Sequence, residues 1–388
     1  MTTKLYNQDA YATEFKAMVL ACEQVEAEGE IRYQVVLDQT LFFPEEGGQT
    51  PDKGMLDAGN VLDVQIENEV ITHTTDIPYE VGQCVCGKID WKHRFFNMQQ
   101  HSGEHIFSGI VHRKFGYDNV GFHLSDNIVT MDFSGVLSQE EIAEVEWEVN
   151  QVIAENVAIT VTYPTKEELK NLEYRSKIEI EGQVRIVTIE GVDVCACCAP
   201  HVRNTGEIGM LKVMSVQNYK GGVRLSFLCG FRALEAFRQK ADIISAISDT
   251  LSANQELLPD LVEKLKKSNQ DVKYQLAEAK QELMTMKIKE IPESVADILL
   301  FENGLETPVV RNAVNEMTEK HAGICGIFVG SDAEGYQYII GSSSRDCREV
   351  ATLLREKANA RGGGSDKMIQ GSVLVSAEEI RKILEIEG

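Results

Sequence analysis

Residues 94–115 read RFFNMQQHSGEHIFSGIVHRKF and mark the change from strand-like to helix-like sequence. Apolar residues recur there at helical spacing and form one stripe: Met98, Ile106, Ile110 and Val111. His101 and His105 stand four residues apart, so both imidazoles project from one face of the predicted helix, about 6 Å apart along its axis. This is the spacing of two zinc ligands on a helix.

The first 90 residues alternate apolar and polar side chains in runs such as IRYQVVLDQTLFF, separated by Gly, Asp and Pro. This pattern is typical of short antiparallel strands. We therefore expect a small N-terminal β-barrel, or a sandwich, over residues 1–90. The segment holds 17 Asp or Glu against 5 Lys or Arg, so it should face away from any phosphate backbone.

Helical and strand-like segments alternate after residue 91. A second helix is predicted over residues 138–156, begun by a capping box from Ser138 to Glu141. Strand-like runs such as VRIVTIEGVDVCAC and EIGMLKVMSV follow. The order predicts an α+β domain over residues 91–230, with helices packed on a sheet.

Residues 231–291 repeat an apolar position every seven residues, which indicates long amphipathic helix. Pro259 would break a continuous helix but suits the first turn of a new one, so we predict a two-helix arm broken near residues 255–259. Strands such as GICGIFVG then alternate with a helix. We expect a separate small α/β domain over residues 292–388, which makes the whole chain α+β.

Composition narrows the class of protein. The chain has 388 residues, of which 43% are hydrophobic, and 61 acidic against 38 basic residues give a net charge of −23. This charge argues against a general polyanion binder. Nine cysteines, an odd number, fit a reducing cytosol and possible metal binding better than a secreted disulfide framework. Without an apolar signal core or a membrane span, we expect a soluble, cytoplasmic protein.

Cys197 and His201, in CCAPHV, form a second pair of metal-ligand type. With the two helical histidines they would complete a set of three His and one Cys, although Cys195 and Cys198 compete for the thiolate role. Each pair alone is weak evidence, because free cysteines are commonly buried in cores. Two compatible pairs in one domain favour zinc, either structural with four closed ligands or catalytic with three ligands and water.

The string HSGEH at residues 101–105 also fits an inverted metalloprotease motif, in which Glu104 would be the general base. Such a site needs a carboxylate third ligand from a later helix, whereas this chain offers Cys197 and His201 downstream. Glu104 also fits a solvated or supporting role, because on a helix it points about 100° away from His105.

Four segments carry a resemblance to a known family. LFFPEEGGQTPDKG (41–54), QQHSGEHI (99–106), VDVCACCAPHVRNTGEIGMLKV (192–213) and RGGGSDKMIQG (361–371) resemble, in order, the editing and C-terminal domains of alanyl-tRNA synthetase. A chain with these parts and no aminoacylation domain is similar to the long form of the freestanding AlaX editing proteins. The resemblance covers nearly the whole length. It implies hydrolysis of the ester that joins a wrong amino acid, chiefly serine and also glycine, to alanine tRNA.

The resemblance also implies site residues. It assigns zinc to His101, His105, Cys197 and His201. Two departures from the family pattern stand beside them: residues 198–200 read Cys-Ala-Pro where Gly-Gly-Thr is common, and residues 46–49 read Glu-Gly-Gly-Gln where three glycines usually precede Gln. The first departure changes the wall beside the metal.

Thr40 and Gln49 match family positions associated with recognising the misplaced aminoacyl group, and with Glu104 they are the candidate catalytic residues. A buried hydroxyl left unpaired by alanine would favour serine by about 1 to 3 kcal/mol. Without the resemblance, Thr40 would be an ordinary strand residue and Gln49 a turn residue.

In the family, the C-terminal domain is linked to tRNA binding and dimer formation. The resemblance thus implies alanine tRNA charged with serine or glycine as the partner, and a homodimer through residues 292–388. The candidate tRNA contacts lie near the glycine run: Arg361, Gly362, Gly363, Gly364 and Lys367. A non-catalytic tRNA-binding module with a structural zinc remains an alternative.

Overall fold

The computed structural model describes residues 1–27, 29–126, 128–176 and 182–386. The chain forms two compact units, Met1–Ser245 and Ala246–Gly388. Helices and strands occur in both units, which confirms the α+β class. The finer division into four domains stays a prediction.

The described part of the first 90 residues forms eight strands. Along the second strand, exposed residues alternate with the buried Phe15, Ala17 and Val19, as the sequence pattern indicates. The strands are β1 Thr3–Lys4, β2 Glu14–Ala27, β3 Glu30–Leu37, β4 Gln39–Thr40, β5 Gly54–Leu56, β6 Gly59–Glu67, β7 Val70–Thr75 and β8 Cys84–Ile89.

Six of these strands pair in a ring, in the order β2-β3-β7-β6-β5-β8 and back to β2, as a closed barrel. Every neighbouring pair in the ring is antiparallel. Alternate side chains fill the interior with a small apolar core, which includes Val35, Leu37, Leu56, Val64, Ile71 and Val85. The sheets of a sandwich have open edges, whereas these six strands pair in a ring.

Helix α1, Trp91–Phe115, begins three residues before the predicted start. Asp90 caps it by accepting a hydrogen bond from the His93 N–H, and Gly116 ends it with a left-handed φ of 70°. From Asn97 to Val111 every residue is buried, the polar ones included. The helix is therefore a central element rather than an amphipathic surface helix, and its polar side chains need partners inside the protein.

The rest of the first unit packs around α1. The predicted capping box is confirmed, because Ser138 and Glu141 exchange hydrogen bonds at the start of α2. Strands β9, β10, β14 and β15 form one sheet in the order β14-β15-β10-β9, and β11, β12 and β13 form another. The bounds are β9 Asn119–Leu124, β10 Val129–Phe133, α2 Gln139–Glu155, β11 Ile159–Thr162, α3 Lys166–Leu169, β12 Ile186–Ile189, β13 Asp193–Ala196, β14 Leu211–Tyr219 and β15 Gly222–Cys229.

The two predicted arm helices are present. Helix α4, Gly230–Leu251, contains the boundary between the units, and helix α5 runs from Leu258 to Lys289. Pro259 lies in the first turn of α5, after a short 3-10 helix at Gln255–Leu257. The predicted break is thus confirmed at the expected proline.

The remaining elements of the second unit form one sheet covered by helices. Its strand order is β16-β17-β18-β20-β19, and only β16 and β17 run parallel. The bounds are β16 Ile298–Glu302, α6 Thr307–Lys320, β17 Cys325–Ser331, β18 Gly335–Gly341, α7 Cys347–Ala358, β19 Arg361–Gly364, β20 Met368–Val373 and α8 Ala377–Leu384. Among the helices of the described ranges, none combines the length and apolar character needed to cross a membrane.

Candidate metal centre

Four side chains converge at one point in the first unit. His101 and His105 lie on adjacent turns of α1, and Cys197 and His201 lie in the segment after β13. One potential ligand atom from each of the four lies within 4.8 Å of the others. The Cys197 Sγ is 3.4 Å from Nε2 of His101 and 3.4 Å from Nε2 of His201. The structure thus brings together the two pairs that the sequence suggested.

These separations fit a zinc ion. Zinc binds sulfur at about 2.3 Å and imidazole nitrogen at about 2.0 to 2.1 Å, so tetrahedral angles place the two ligand atoms about 3.5 Å apart. The observed 3.4 Å agrees with that value. The three-nitrogen, one-sulfur donor set is also a set that zinc prefers in proteins.

Each imidazole is held through its other nitrogen. The Nδ1 of His101 is 2.9 Å from the Gln49 Oε1, and the Nδ1 of His201 is 3.0 Å from the Ser102 Oγ. The Nδ1 of His105 is 2.9 Å from an Asp193 carboxylate oxygen. Because the Gln49 and Asp193 oxygens can only accept, the Nδ1 atoms of His101 and His105 donate to them, which orients the Nε2 atoms of these two imidazoles toward the cluster for a metal.

Asp193 is the charged partner in this outer layer. Its carboxylate also accepts from Arg175, with Nε 2.7 Å from Oδ1. Burial alone would raise the pKa of Asp193, but the hydrogen bonds from His105 and Arg175 outweigh burial and lower it. The sequence reasoning missed Asp193 and Arg175. The available signal was an acidic residue in the otherwise apolar run VDVC, two positions before Cys195.

The structure distinguishes the three clustered cysteines. Burial favours the neutral thiol of Cys197, yet the imidazoles of His101 and His201 lower its pKa well below the ordinary value. Burial raises the pKa of Cys195 to about 11 and also raises that of Cys198. The thiolate, which is the form that binds metal, is thus favoured at Cys197.

The segment that carries Cys197 is held by hydrogen bonds and packing on two sides. One Arg185 Nη donates to the carbonyl oxygens of Cys197 and Ala199, at 2.7 and 3.0 Å. Ala199 is fully buried in the core of the barrel. On the other side, the Val202 N–H donates to the Ser102 hydroxyl on α1. This segment therefore contacts both the barrel and the central helix.

A tight turn brings Gln49 to His101. Gly47 and Gly48 adopt left-handed φ values of 64° and 80°. A Cβ on Gly48 would lie 2.3 Å from the Phe122 carbonyl oxygen, so only glycine fits there. Gln49 is fully buried, and its Nε2 has no hydrogen-bond partner within the part of the chain that the structure describes.

Thr40 lies on β4, which pairs with β1, and is fully buried. Its hydroxyl lies 2.9 Å from the His73 Nε2 and accepts a hydrogen bond from the Phe42 N–H. The Nδ1 of His73 donates to the Val35 carbonyl oxygen, so its Nε2 must be the acceptor of the Thr40 proton. These contacts do not join Thr40 to the four clustered residues. The sequence reasoning missed His73. Burial lowers the pKa of this histidine to about 4.

Glu104 is buried rather than solvated, which corrects one of the two expected roles. One carboxylate oxygen accepts hydrogen bonds from the Ser108 hydroxyl and the Asn119 amide. The other oxygen lies 3.9 Å from the Nε2 of His105. Glu104 therefore stands beside the cluster in a fixed orientation, and its role as a base stays a prediction.

Comparisons with known proteins identify relatives of this chain. Residues 2–93 match the family described as tRNA synthetases class II (A), and residues 184–225 match the threonyl and alanyl tRNA synthetase second additional domain. The alanyl-tRNA editing protein AlaX-L of Pyrococcus horikoshii is 27% identical over 98% of this chain and 96% of its own length. The alanyl-tRNA editing protein Aarsd1 of Mus musculus is 31% identical over 68% of this chain and 66% of its own length. The chain belongs to the alanyl-tRNA editing protein family.

The chain is also similar to part of the alanine–tRNA ligases. The ligase of Pyrococcus abyssi is 28% identical over 96% of this chain, but the match covers 42% of the ligase. The chain spans about a third to two-fifths of the length of such ligases, 32% in that of Ignicoccus hospitalis. The matched range 184–225 includes Asp193, Cys197 and His201.

The glycine run of this editing-family chain lies at a sheet edge. Gly362 and Gly364 belong to β19, which pairs with β20. A Cβ on either glycine would lie 2.2 Å from a carbonyl oxygen of β20, so the strand pairing itself requires glycine there. Arg361 and Lys367 are exposed. The strand pairing thus explains Gly362 and Gly364 without RNA, and the tRNA contacts stay predictions.

Proposed function

We propose that this chain is a cytoplasmic trans-editing hydrolase that deacylates mischarged alanine tRNA. The bond cleaved is the ester between the tRNA and a wrong amino acid, chiefly serine and also glycine. The observation that carries the proposal is the convergence of His101, His105, Cys197 and His201, each imidazole held for metal binding. The names of the relatives, alanyl-tRNA editing proteins, supply the substrate class.

The proposed cofactor is zinc, held by the four converging residues or by three of them with water. A bound zinc would polarise the ester carbonyl or lower the pKa of a bound water toward about 7. An aminoacyl ester is already activated, so a positioned water and a polarised carbonyl suffice without a covalent nucleophile. The chain's own contribution is orientation, because Gln49, Asp193 and Ser102 fix the three imidazoles.

Thr40 is proposed to read the serine side chain. Its proton is used by His73 and one of its lone pairs by the Phe42 N–H, which leaves one lone pair as an acceptor. A serine hydroxyl can donate to that lone pair, whereas alanine has no donor. Because Thr40 is buried, the substrate side chain must reach it inside the protein.

Glu104 is the proposed general base. Its second oxygen lies 3.9 Å from the His105 Nε2, and Ser108 and Asn119 hold the carboxylate in place. A carboxylate so placed would accept a proton from water that attacks the ester.

One observation favours a second function. Four protein ligands with no carboxylate among them are typical of structural zinc sites, so a non-catalytic tRNA-binding module would have the same cluster. The same ligand set disfavours the metalloprotease alternative, because Cys197 and His201 occupy the places where that motif needs a carboxylate.

The second unit is proposed to bind the tRNA body through exposed cations at residues 361–367 and to form a homodimer. A remote domain that binds tRNA raises the effective concentration of the charged end at the metal centre. Sedimentation velocity tests the dimer: a single species with the mass of one chain at micromolar concentration would exclude it.

The direct test is deacylation by the zinc-loaded protein. Alanine tRNA is charged separately with serine, glycine or alanine, and release of each amino acid is followed in time. We expect rapid release of serine, slower release of glycine and little of alanine. Zinc-loaded protein that releases none of the three above the buffer rate would favour the structural-zinc alternative.

A further inference from the structure

Several buried polar atoms near the metal cluster have no hydrogen-bond partner among the described residues. One is the Arg185 Nε, and three others are the Tyr6 hydroxyl, the Glu46 Oε2 and the Gln49 Nε2. Tyr6 is 2% exposed and Gln49 is fully buried. Buried polar atoms in native proteins are nearly always paired, so an unpaired group of this kind points to a missing water or ligand.

The three atoms belong to one neighbourhood. Glu46 and Gln49 pair through their backbones at the ends of the double-glycine turn. Glu46 faces the Cys198 thiol, and a Cβ on Gly47 would come 3.2 Å from that sulfur. After burial, the Glu46 carboxylate and Cys198 are the groups that raise the pKa of Tyr6 most. The turn, Cys198 and Tyr6 therefore surround the same region, next to Cys197.

Two cations lie in this neighbourhood, and each guanidinium group donates to other acceptors. Arg185 donates to the Cys197 and Ala199 carbonyl oxygens. The Arg94 guanidinium is bound to Asp52 through two nitrogens and also donates to the Leu41 carbonyl. An unpaired carboxylate oxygen in a buried position costs free energy unless a donor reaches it. The Glu46 carboxylate has the Cys198 thiol as one neighbour. The region thus still offers one carboxylate oxygen, a hydroxyl and an amide nitrogen that have no hydrogen-bond partner among the described residues.

An aminoacyl ester has the complementary groups. It carries an α-amino group, whose ordinary pKa near 8 keeps it largely protonated at neutral pH, on the carbon beside the ester carbonyl. The ammonium needs acceptors, and the carbonyl oxygen needs a donor. A hydroxyl can accept from the ammonium while it donates to the carboxylate.

Resting on the proposed function, we infer that Glu46 binds the α-ammonium group of the aminoacyl ester. The Tyr6 hydroxyl is its second acceptor, and the Gln49 amide donates to the ester carbonyl. Glu46 is thus a specificity residue for substrates with a free amino group. This assignment extends the site from the metal cluster to the amino acid backbone, which every aminoacyl-tRNA shares.

The test compares two esters that differ at one atom. Seryl-tRNA is deaminated with nitrous acid, which replaces the amino group by a hydroxyl of similar size. Both esters are given to wild type, to Glu46→Gln and to the control Glu45→Gln, whose exposed carboxylate accepts a hydrogen bond from Gln65. We expect Glu46→Gln to lower kcat/KM for the seryl ester at least tenfold, to change the hydroxyacyl ester less than about twofold, and to keep its zinc. Glu45→Gln should match wild type with both.

A second variant, Tyr6→Phe, tests the inference if Glu46→Gln does not fold. Tyr6→Phe keeps the ring and should lower kcat/KM for the seryl ester about threefold while sparing the hydroxyacyl ester. Equal effects on the two esters, or no effect of Glu46→Gln on either, would overturn the inference while hydrolysis by wild type keeps the proposed function.

A binding assay distinguishes failure of this inference from failure of the proposed function. A seryl amide of adenosine, which cannot be hydrolysed as an ester, is titrated into wild type and Glu46→Gln. Tighter binding to wild type, about tenfold or more, supports the inference even if no serine is released from tRNA. Equal binding to both proteins contradicts it.

Discussion

The outer hydrogen bonds of the imidazoles, rather than the imidazoles alone, determine how well the cluster holds a metal. Asp193 is the charged member of that layer, bound to both His105 and Arg175. Asp193→Asn keeps the side-chain volume but removes the charge, so we expect zinc affinity to fall about 10- to 100-fold. Competition with a chromophoric chelator measures this affinity.

The matched control for that variant is Asp118→Asn. Asp118 also contacts a histidine on α1, His112 at 3.1 Å, but its side chain is exposed. We expect its zinc affinity to equal that of wild type. If Asp193→Asn binds zinc as tightly as this control, the carboxylate does not support the metal centre.

His73 predicts a pH dependence of barrel stability. Burial lowers its pKa from about 6.5 to about 4, so the unfolded chain binds a proton in this window that the folded chain does not. The contribution of His73 to stability is therefore complete above pH 6.5 and is lost as pH falls toward 4, by about 3 kcal/mol in total.

The substitution His73→Phe isolates this effect. Urea unfolding is followed by the fluorescence of the two tryptophans, Trp91 and Trp147, both of which lie in the first unit. Between pH 7 and pH 4.5 the variant should lose about 2 to 3 kcal/mol less unfolding free energy than wild type. Parallel pH profiles for the two proteins would show that His73 is not held neutral.

At the scale of elements, α1 is anchored to the barrel loop by one buried ion pair. Arg94 and Asp52 are both fully buried, and Arg94 also donates to the Ala10 and Leu41 carbonyl oxygens. Arg94→Met leaves the Asp52 carboxylate without a cation, so we expect a loss of about 3 to 5 kcal/mol in unfolding free energy. Denaturant unfolding checks this value.

The comparison for this prediction is an exposed pair. Lys170 and Glu167 pair at 3.0 Å on the surface, and Lys170→Met should cost less than about 0.5 kcal/mol. If Arg94→Met costs no more than Lys170→Met, the buried pair does not anchor the helix.

Elements with local signals were predictable from the sequence. The capping box at Ser138, the helix break at Pro259 and the two ligand pairs are set by residues close together in the chain. The position of α1 was less predictable. Its apolar stripe suggested one buried face, whereas the structure buries it all round.

Long-range partners were beyond the reach of the sequence. Gln49 and His101 are separated by 52 positions, and Asp193 and His105 by 88. Such pairings follow from how the barrel, helix and strands pack, which no local pattern encodes. The same reason explains why Thr40 could be named as a candidate while its partner His73 could not.

At the scale of the whole molecule, the two compact units are proposed to divide the work between chemistry and RNA binding. Arg361 and Lys367 are exposed beside the glycine strand. Arg361→Ala with Lys367→Ala should weaken binding of alanine tRNA and reduce the slope of log Kd against log salt by about 2, one for each lost phosphate contact. Filter binding at several salt concentrations measures both quantities.

The control for RNA binding is Lys382→Ala, an exposed cation on α8 of the same unit. Its binding and salt dependence should match wild type. An equal effect from Lys382 would indicate general electrostatic attraction and contradict a contact at residues 361–367.

The four-residue cluster is proposed to support hydrolysis of seryl-tRNA. Release of serine and alanine from alanine tRNA is measured with zinc-loaded wild type and with Cys197→Ser, and zinc content is determined on the same samples. We expect wild type to release serine at least tenfold faster than alanine and Cys197→Ser to lose zinc and activity together. Serine and alanine released at equal rates, or full activity in a zinc-free Cys197→Ser protein, would contradict this role of the cluster.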